Sequence, residues 1–279
     1  MLPPIADRFV AGESPATAFE HARQMNGNGV GVILNLLGEH YDDPELAEED
    51  TRTYLDLVED IAGTGLNARV SVKPSQLGLD VDDDLFRENY LRIVEAGAEH
   101  DVFVWCDMED ATTTDVTLEA FEEAMDRYPW GVGLCVQANL HRTMDDVERL
   151  IDRPGHLRLV KGAYNEDPEI SHREKQRVNE AYRELIRYAF RNRDRGVGIG
   201  SHDPEMISFA KRLHDEHGTG FEVQMLMGVR EAEQRDLAAQ GYEVWQYAPF
   251  GTRWFSYFYR RLRERKENAR FVLRALLGE

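Results

Sequence analysis

The sequence predicts an α/β protein built as a (β/α)8 barrel, and three observations support this fold class. Eight short apolar runs rich in β-branched residues recur along the chain, and a segment with helical periodicity follows each of them. The eight units fit within the 279 residues as one domain, which matches a closed barrel of about 250 residues better than an open doubly wound sheet. We therefore expect a single domain over residues 1–279.

The predicted strands lie in order along the chain, and each is separated from the next by a helical segment. The strands are residues 30–37, 68–73, 102–108, 131–138, 157–163, 196–202, 221–227 and 243–249. Several of the helical segments open with Asp, Ser or Thr, the residues preferred at helix N-caps. Residues 1–27 form a short N-terminal extension, in which "SPATAFEHARQM" predicts a helix that plugs or flanks the barrel.

Composition and charge exclude several classes of function. The net charge of −19 repels phosphate backbones, so the sequence does not predict a nucleic-acid-binding protein. The excess of acidic residues is typical of a surface adapted to high salt, as in halophilic proteins. Cys106 and Cys135 lie in predicted strands, which favours buried reduced thiols and a cytoplasmic location. The longest apolar runs are shorter than a transmembrane helix, so any membrane contact is expected to be peripheral.

Polar residues cluster at the C-terminal halves of the predicted strands. Parallel strands covered on both faces are usually apolar throughout, and barrel enzymes place their active sites at the C-terminal ends. The pattern therefore predicts a functional site at that end of the barrel. Its polar residues are Lys73, Asp107, Glu109, Gln137, Arg158, Lys161, His202, Gln224 and Tyr247.

Taken singly, these residues leave alternatives open. Lys73 could be a surface lysine at a strand end, and Asp107 could cap the next helix. Arg158 alternates with leucines, so its buried guanidinium needs partners or an anionic ligand. Lys161 could form a Schiff base, bind phosphate or make a structural ion pair. His202 alone is more often structural than catalytic.

Searches for established motifs return little. The chain has no GxGxxG after a strand, no P-loop, no HExxH, no CxxC and no GxSxG. The run "HDEH" at 214–217 fits the solvated end of a surface helix better than a metal site. The sequence therefore predicts no metal site.

The segment after the last strand carries two adjacent arginines. On a helix, residues three and four apart share a face, which places Tyr257, Arg260, Arg261 and Glu264 on one side. A helix that lay over the barrel mouth would direct these arginines inward, where they could hold a carboxylate or phosphate by charge-assisted hydrogen bonds.

Several motifs, in their order and spacing, resemble the proline dehydrogenase family. They are "SVKPSQLGLD" (71–80), "CDMED" (106–110), "RLVKGAY" (158–164), "FEVQMLMGV" (221–229), "YAPFG" (247–251) and "YFYRRLRERKENARFVLRAL" (257–276). The resemblance runs from about residue 30 to the end of the chain. It implies a distorted (β/α)8 barrel whose C-terminal helix covers the C-terminal face of the strands.

The resemblance also implies the roles of particular residues. Asp107 matches an active-site carboxylate, and Arg158 would lie near the flavin N5. The implied proline-binding residues are Lys73, Tyr247, Tyr257, Arg260, Arg261 and Glu264. The implied FAD-contacting residues are Met108, Gln137, Arg158, Lys161, Gly162, Ala163, Ser201 and His202. Two departures, "GSHD" at 200–203 and Asn165, leave the detailed FAD contacts open.

The implied reaction is FAD-dependent oxidation of proline to Δ1-pyrroline-5-carboxylate, the first step of proline catabolism. Hydride would pass from proline C5 to flavin N5, and the electrons would then pass to a quinone-type acceptor. Expected partners include a pyrroline-5-carboxylate dehydrogenase and the inner face of the membrane. Tyr247 would crowd a 4-hydroxyl group and so favour proline over hydroxyproline. Two alternatives are a cofactor-free aldolase that uses Lys161 and a binding protein that has lost catalysis.

Overall fold

The strands close into a single parallel barrel. A computed structural model of the chain describes residues 8–255. Its strands pair in sequence order and β8 returns to β1, which confirms the predicted barrel. They are β1 Gly31–Leu36, β2 Ala68–Val72, β3 Val104–Cys106, β4 Val132–Gln137, β5 His156–Val160, β6 Val197–Gly200, β7 Phe221–Leu226 and β8 Glu243–Phe250.

Helices cover the outside of the barrel. In the described range they are α1 Pro15–Asn26, α2 Pro44–Thr64, α3 Asp83–His100, α4 Thr114–Arg127, α5 Thr143–Leu150, α6 Lys175–Asn192, α7 Pro204–His217 and α8 Glu231–Ala239. None of the helices within residues 8–255 is long and apolar enough to cross a bilayer. The predicted helix that carries Tyr257, Arg260, Arg261 and Glu264 lies outside the described residues.

Helix α1 forms where the N-terminal extension was predicted to be helical. Ser14 caps it, since the Ser14 hydroxyl accepts a hydrogen bond from the Thr17 amide. One side of the helix is buried, including Phe19 and Met25. His21 on α1 hydrogen-bonds the side chain of Gln246 on β8. Helix α1 therefore flanks the barrel wall.

Three strands end two or three residues earlier than predicted. Strand β3 ends at Cys106, β5 at Val160 and β6 at Gly200. Lys161 therefore lies in the loop after β5 and not within the strand. The break has a local cause, because Gly162 has a φ of +104°, a left-handed conformation that an extended strand does not contain.

The lower half of the barrel interior is filled by aromatic rings. Trp105 and Trp245 pack with Ile33 in one buried cluster. Each tryptophan lies over a glycine of the neighbouring strand: a Cβ on Gly133 would come within 2.4 Å of Trp105, and one on Gly31 within 2.5 Å of Trp245. These glycines make room for the rings, so the interior is a packed core here and not a pore.

Arg69 closes the N-terminal end of the barrel. Its guanidinium lies 3.6 Å from the centroid of the Trp245 ring and donates to Glu222 at 2.7 Å. A second carboxylate, Glu243, accepts from Arg69 at 3.2 Å. The ion pairs and the stacked ring satisfy the buried charge. The open end of the barrel is therefore the C-terminal one.

His156 lies near Arg69 at the N-terminal end of the barrel and makes the free energy of unfolding depend on pH. Burial, reinforced by the neighbouring Arg69 and Arg193, lowers the pKa of His156 from 6.5 to about 4. The unfolded chain therefore binds this proton first as the pH falls. The contribution of His156 to the free energy of unfolding is therefore fully present above about pH 6.5. It decreases as the pH falls towards 4, by about 3 kcal/mol at most.

We expect His156→Gln to flatten the decline in the free energy of unfolding between pH 6.5 and 4. Urea denaturation at fixed salt across this range measures the effect. His100→Gln, at an exposed histidine at the end of α3, is the matched control and should follow the wild type. If the two variants have the same pH dependence, His156 does not cause the decline.

Candidate active site

A cavity of about 410 Å³ opens at the C-terminal ends of the strands. It is bounded by residues from β4, β5, β6, β7 and β8 and from the loops that follow β2, β3, β5 and β6. In a barrel of parallel strands this end is where the loops meet and where ligands bind. The cavity is thus the candidate site.

The carboxylate of Asp107 organises one side of the cavity. Its Oδ1 accepts hydrogen bonds from Ser71 Oγ and Arg158 Nη2, both at 2.9 Å. Its Oδ2 accepts from Lys73 Nζ at 2.8 Å and from Tyr247 Oη at 2.7 Å. Four donors from three strands, two of them from β2 and its end and one each from β5 and β8, therefore meet on one buried carboxylate.

These contacts set the charge of the group. Burial alone would raise the pKa of Asp107, but the Lys73 and Arg158 cations and the hydrogen bonds hold it well below its usual range. Burial alone would likewise lower the pKa of Lys73, yet the Asp107 carboxylate raises it well above its ordinary value. All three residues therefore stay charged, and the cluster carries a net positive charge.

Aromatic rings hold the Arg158 guanidinium in place. Its central carbon lies 4.7 Å from the centroid of the Trp105 ring and 5.6 Å from that of Tyr247. Burial, followed by the Asp107 charge, raises the pKa of Tyr247, so its hydroxyl stays protonated and donates to Asp107. Tyr247 is both a wall of the cavity and a donor to its central carboxylate.

The opposite side contains a second ion pair. Lys161 Nζ donates to Asp203 Oδ2 at 2.7 Å. The other oxygen of Asp203 accepts from the Glu205 amide at 3.0 Å and so caps α7. Among the three alternatives left open for Lys161, the structure shows the ion pair.

Hydrogen bonds join successive loops around the cavity rim. The His40 amide donates to Ser75 Oγ at 3.0 Å, and Ser75 donates to the Glu109 carboxylate from its amide and its hydroxyl, at 2.6 and 2.8 Å. Gln137 Nε2 donates to the Glu109 carbonyl at 2.6 Å, and Gln137 Oε1 accepts from the Ala163 amide at 3.4 Å. The loops after β1, β2, β3 and β5 are therefore connected.

The floor of the cavity presents one donor and one acceptor. Arg158 Nε and Gln224 Oε1 are buried and have no hydrogen-bond partner among residues 8–255. The amide nitrogen of Gln224 donates to Glu222, whose carboxylate can only accept because it is ion-paired with Arg69. Glu222 thereby turns the Gln224 oxygen away from itself. A ligand that brings an acceptor to Arg158 Nε and a donor to Gln224 Oε1 would satisfy both groups.

Of the polar residues predicted at this end of the barrel, Glu109 does not line the cavity and is instead buried against Ser75. The residues predicted to act in catalysis or to bind substrate or cofactor, within the described range, all line it. They are Lys73, Asp107, Met108, Gln137, Arg158, Lys161, Gly162, Ala163, Ser201, His202 and Tyr247. Tyr257, Arg260, Arg261 and Glu264 lie outside the described residues. The roles assigned to all these residues stay predictions.

Sequence reasoning missed other residues of the site. Ser71 bridges Arg158 and Asp107, and Asp203 holds Lys161. Strand alternation could have found Ser71, because it lies two residues before Lys73 and so on the same face. From the sequence, Asp203 could be recognised only as a helix N-cap residue. Its contact with Lys161 forms only in the folded barrel. Within residues 8–255 no group of three or more metal-binding side chains comes together.

Comparisons with known proteins agree on one family. The family model described as "Proline dehydrogenase" matches residues 18–274. The chain is 37% identical over 274 residues to "Proline dehydrogenase 2" of Bacillus subtilis strain 168, covering 97% of this chain and 90% of the relative. It is 36% identical over 282 residues to "Proline dehydrogenase" of Deinococcus radiodurans, covering 98% and 90%.

Solved structures share the fold. The crystal structure of proline utilization A (PutA) from Bdellovibrio bacteriovorus inactivated by N-propargylglycine matches with a TM-score of 0.85 at 24% identity. The match covers 92% of this chain and 32% of that one, so the chain spans about a third of the length of this relative. PutA from Bradyrhizobium japonicum matches with a TM-score of 0.76 at 21% identity. At these identities the likeness shows the barrel fold.

We expect Asp107→Leu to destabilise the protein by about 3–5 kcal/mol, since it leaves Lys73 and Arg158 buried without their counter-charge. Urea denaturation measures the loss. Asp115→Leu is the control, because Asp115 pairs with Arg142 at an exposed position and should cost no more than about 1 kcal/mol. Equal losses in the two variants would show that the Asp107 cluster is not a special source of stability.

Proposed function

Since the chain belongs to the proline dehydrogenase family and is an oxidoreductase of that family, we propose that it oxidises L-proline to Δ1-pyrroline-5-carboxylate with FAD as its cofactor. In this reaction the C5–H bond of proline breaks, the nitrogen loses a proton and a C=N bond forms. The substrate loses two electrons. The observation that carries the proposal is the Lys73–Asp107–Arg158–Tyr247 cluster in the cavity.

The cavity residues fit FAD. The unpartnered donor Arg158 Nε and acceptor Gln224 Oε1 complement a heterocycle that has both acceptor and donor atoms on its edge, as an isoalloxazine has. We propose that FAD is held by Met108, Gln137, Arg158, Lys161, Gly162, Ala163, Ser201 and His202. When bound, FAD supplies the two-electron acceptor that takes hydride from proline C5 at its N5.

The protein's contribution to the reaction is positioning and electrostatics. Lys73 has ammonium hydrogens beyond the one that binds Asp107, so it can also bind the proline carboxylate. Tyr247 forms an aromatic wall that orients the ring and excludes water. We propose that Tyr257, Arg260, Arg261 and Glu264 complete this binding site.

Asp107 acts by fixing its neighbours and not by accepting the proline proton. Its carboxylate receives four hydrogen bonds, and its pKa lies well below the usual range. A proton on Asp107 would break at least one of these contacts and leave two cations uncompensated. We propose that the proline nitrogen loses its proton to bulk solvent as the substrate binds.

We further propose that the electrons leave to a quinone-type acceptor and that a pyrroline-5-carboxylate dehydrogenase takes the product. The proposed location is the cytoplasm, with peripheral contact at the inner face of the membrane. The net charge of −19 supports a high-salt environment, because dissolved ions screen the self-repulsion. The bulk of Tyr247 supports a preference for proline over 4-hydroxyproline.

The visible spectrum tests the proposed reaction. We expect the purified protein to carry FAD and proline to bleach the flavin band under anaerobic conditions. Pyrrolidine, which has the ring without the carboxylate, is the control ligand and should bleach it far more slowly. A colourless protein that takes up no FAD would contradict the proposal. An imine trapped by borohydride on Lys161 would instead support the aldolase alternative.

Removal of a carboxylate-binding arginine should weaken proline binding. We expect Arg261→Met to raise the apparent KM for proline about 10- to 100-fold with a smaller effect on kcat, as for a lost charged hydrogen bond of about 1.5–3 kcal/mol. Arg52→Met, at an exposed helix position paired only with Glu48 among the described residues, is the control and should leave KM unchanged. An unchanged KM in Arg261→Met would remove this arginine from the proposed site.

A further inference from the structure

The charged side chains that line the described cavity fall into two groups. Lys73 and Arg158 share the single carboxylate of Asp107, so this group keeps one positive charge. Lys161 has its own carboxylate, Asp203, at 2.7 Å, so this group is neutral. The first group lies on the β2, β3 and β5 side, and the second on the β5 and β6 side. The cavity is therefore electrostatically asymmetric.

The carboxylate of Asp203 is held in a fixed orientation. Its Oδ1 caps α7 by accepting from the Glu205 amide at 3.0 Å, which leaves Oδ2 to face Lys161. The Asp203 amide donates to Ser201 Oγ at 3.2 Å. Burial would raise the pKa of Asp203, but the Lys161 hydrogen bond and the capping amide lower it below its ordinary value. The carboxylate is thus charged and directed at Lys161.

We propose that Asp203 is a specificity-determining residue that keeps the Lys161 side of the cavity neutral and so confines the net positive charge to the Lys73–Arg158 side. An anionic substrate is then drawn to one side only. This inference rests on the proposed function, in which a carboxylate substrate and the anionic cofactor FAD share the cavity. A charge on one side of a cavity of this size still acts on a ligand on the other side. The width of the cavity is comparable to the screening length of physiological salt.

A charge-balance experiment tests the proposal. Asp203→Asn removes one negative charge but keeps a capping side chain, Lys161→Gln removes one positive charge, and the double variant restores neutrality. The measurement is the dissociation constant of FAD from the apoprotein at low and high NaCl. At low salt we expect Asp203→Asn to bind FAD about three- to tenfold more tightly, and Lys161→Gln to bind it more weakly by a similar factor.

In the double variant, Asp203→Asn should tighten FAD binding relative to Lys161→Gln by the same factor as it does relative to the wild type. All differences should shrink at high salt because ions screen the charges. If Asp203 instead only holds Lys161 in place, both single variants will bind FAD more weakly and the double variant will not recover. That pattern, or an unchanged Asp203→Asn, would overturn the proposal.

The chain provides a matched control. The sequence Asp43-Pro44-Glu45 repeats Asp203-Pro204-Glu205, and Asp43 caps α2 by accepting from the Glu45 amide at 2.9 Å. Asp43 is exposed and does not line the cavity. Asp43→Asn therefore removes the same capping charge away from the site, and it should bind FAD as the wild type does.

A second measurement needs no FAD. In the apoprotein, we expect N-acetoxysuccinimide to acetylate Lys161 several-fold faster in Asp203→Asn than in wild type or Asp43→Asn, because the carboxylate holds the ammonium group in place. Mass spectrometry reads the rate, with Lys175 and Lys211 as internal references. Equal rates would overturn the inference whether or not FAD binds. Faster acetylation in Asp203→Asn, in a protein that takes up no FAD, would support the Lys161–Asp203 ion pair and contradict only the proposed function.

Discussion

The carboxylate of Asp107 is the contact on which the rest of the site depends. Two cations and two hydroxyl groups from β2, β5, β8 and the end of β2 meet on its two oxygens. Without this anion, Arg158 and Lys73 would be buried charges with no compensation, which a barrel interior does not tolerate. In the proposed function, the same contacts also position Lys73 for a substrate carboxylate. On that proposal, stability and ligand recognition share one residue.

The cations inside the barrel are paired with carboxylates differently at its two ends. At the N-terminal end the Arg69 guanidinium is ion-paired with Glu222 and Glu243 and lies over the face of Trp245. At the C-terminal end the cations outnumber the carboxylates, and Arg158 retains an unpartnered nitrogen within the described residues. Between them the Trp105 and Trp245 rings form an apolar layer. This layer separates the paired charges around Arg69 from a cavity whose described lining has more cations than carboxylates.

The sequence predicted the fold well because alternation of strands and helices depends only on local patterns. The eight strands lie where the apolar runs are, and the polar residues at their ends converge as a parallel barrel requires. Strand ends were predicted less well, since Gly162 breaks β5 by its backbone conformation. The Lys161–Asp203 pair could not be predicted, because its members are distant in sequence and meet only after β5 and β6 are paired. Ser71 looked like an ordinary strand serine until Arg158 was placed beside it.

The hydrogen bonds that join His40, Ser75, Glu109, Gln137 and Ala163 around the rim have a consequence for how such a protein can be altered. In many barrels one loop can be exchanged for that of a relative while its neighbours keep their shape. Here hydrogen bonds connect the loops after β1, β2, β3 and β5, with Gln137 of β4 between the last two. The Glu109 side chain is buried beneath them. We therefore expect chimaeras with a homologue to fold best when the first five βα units are transferred as one block.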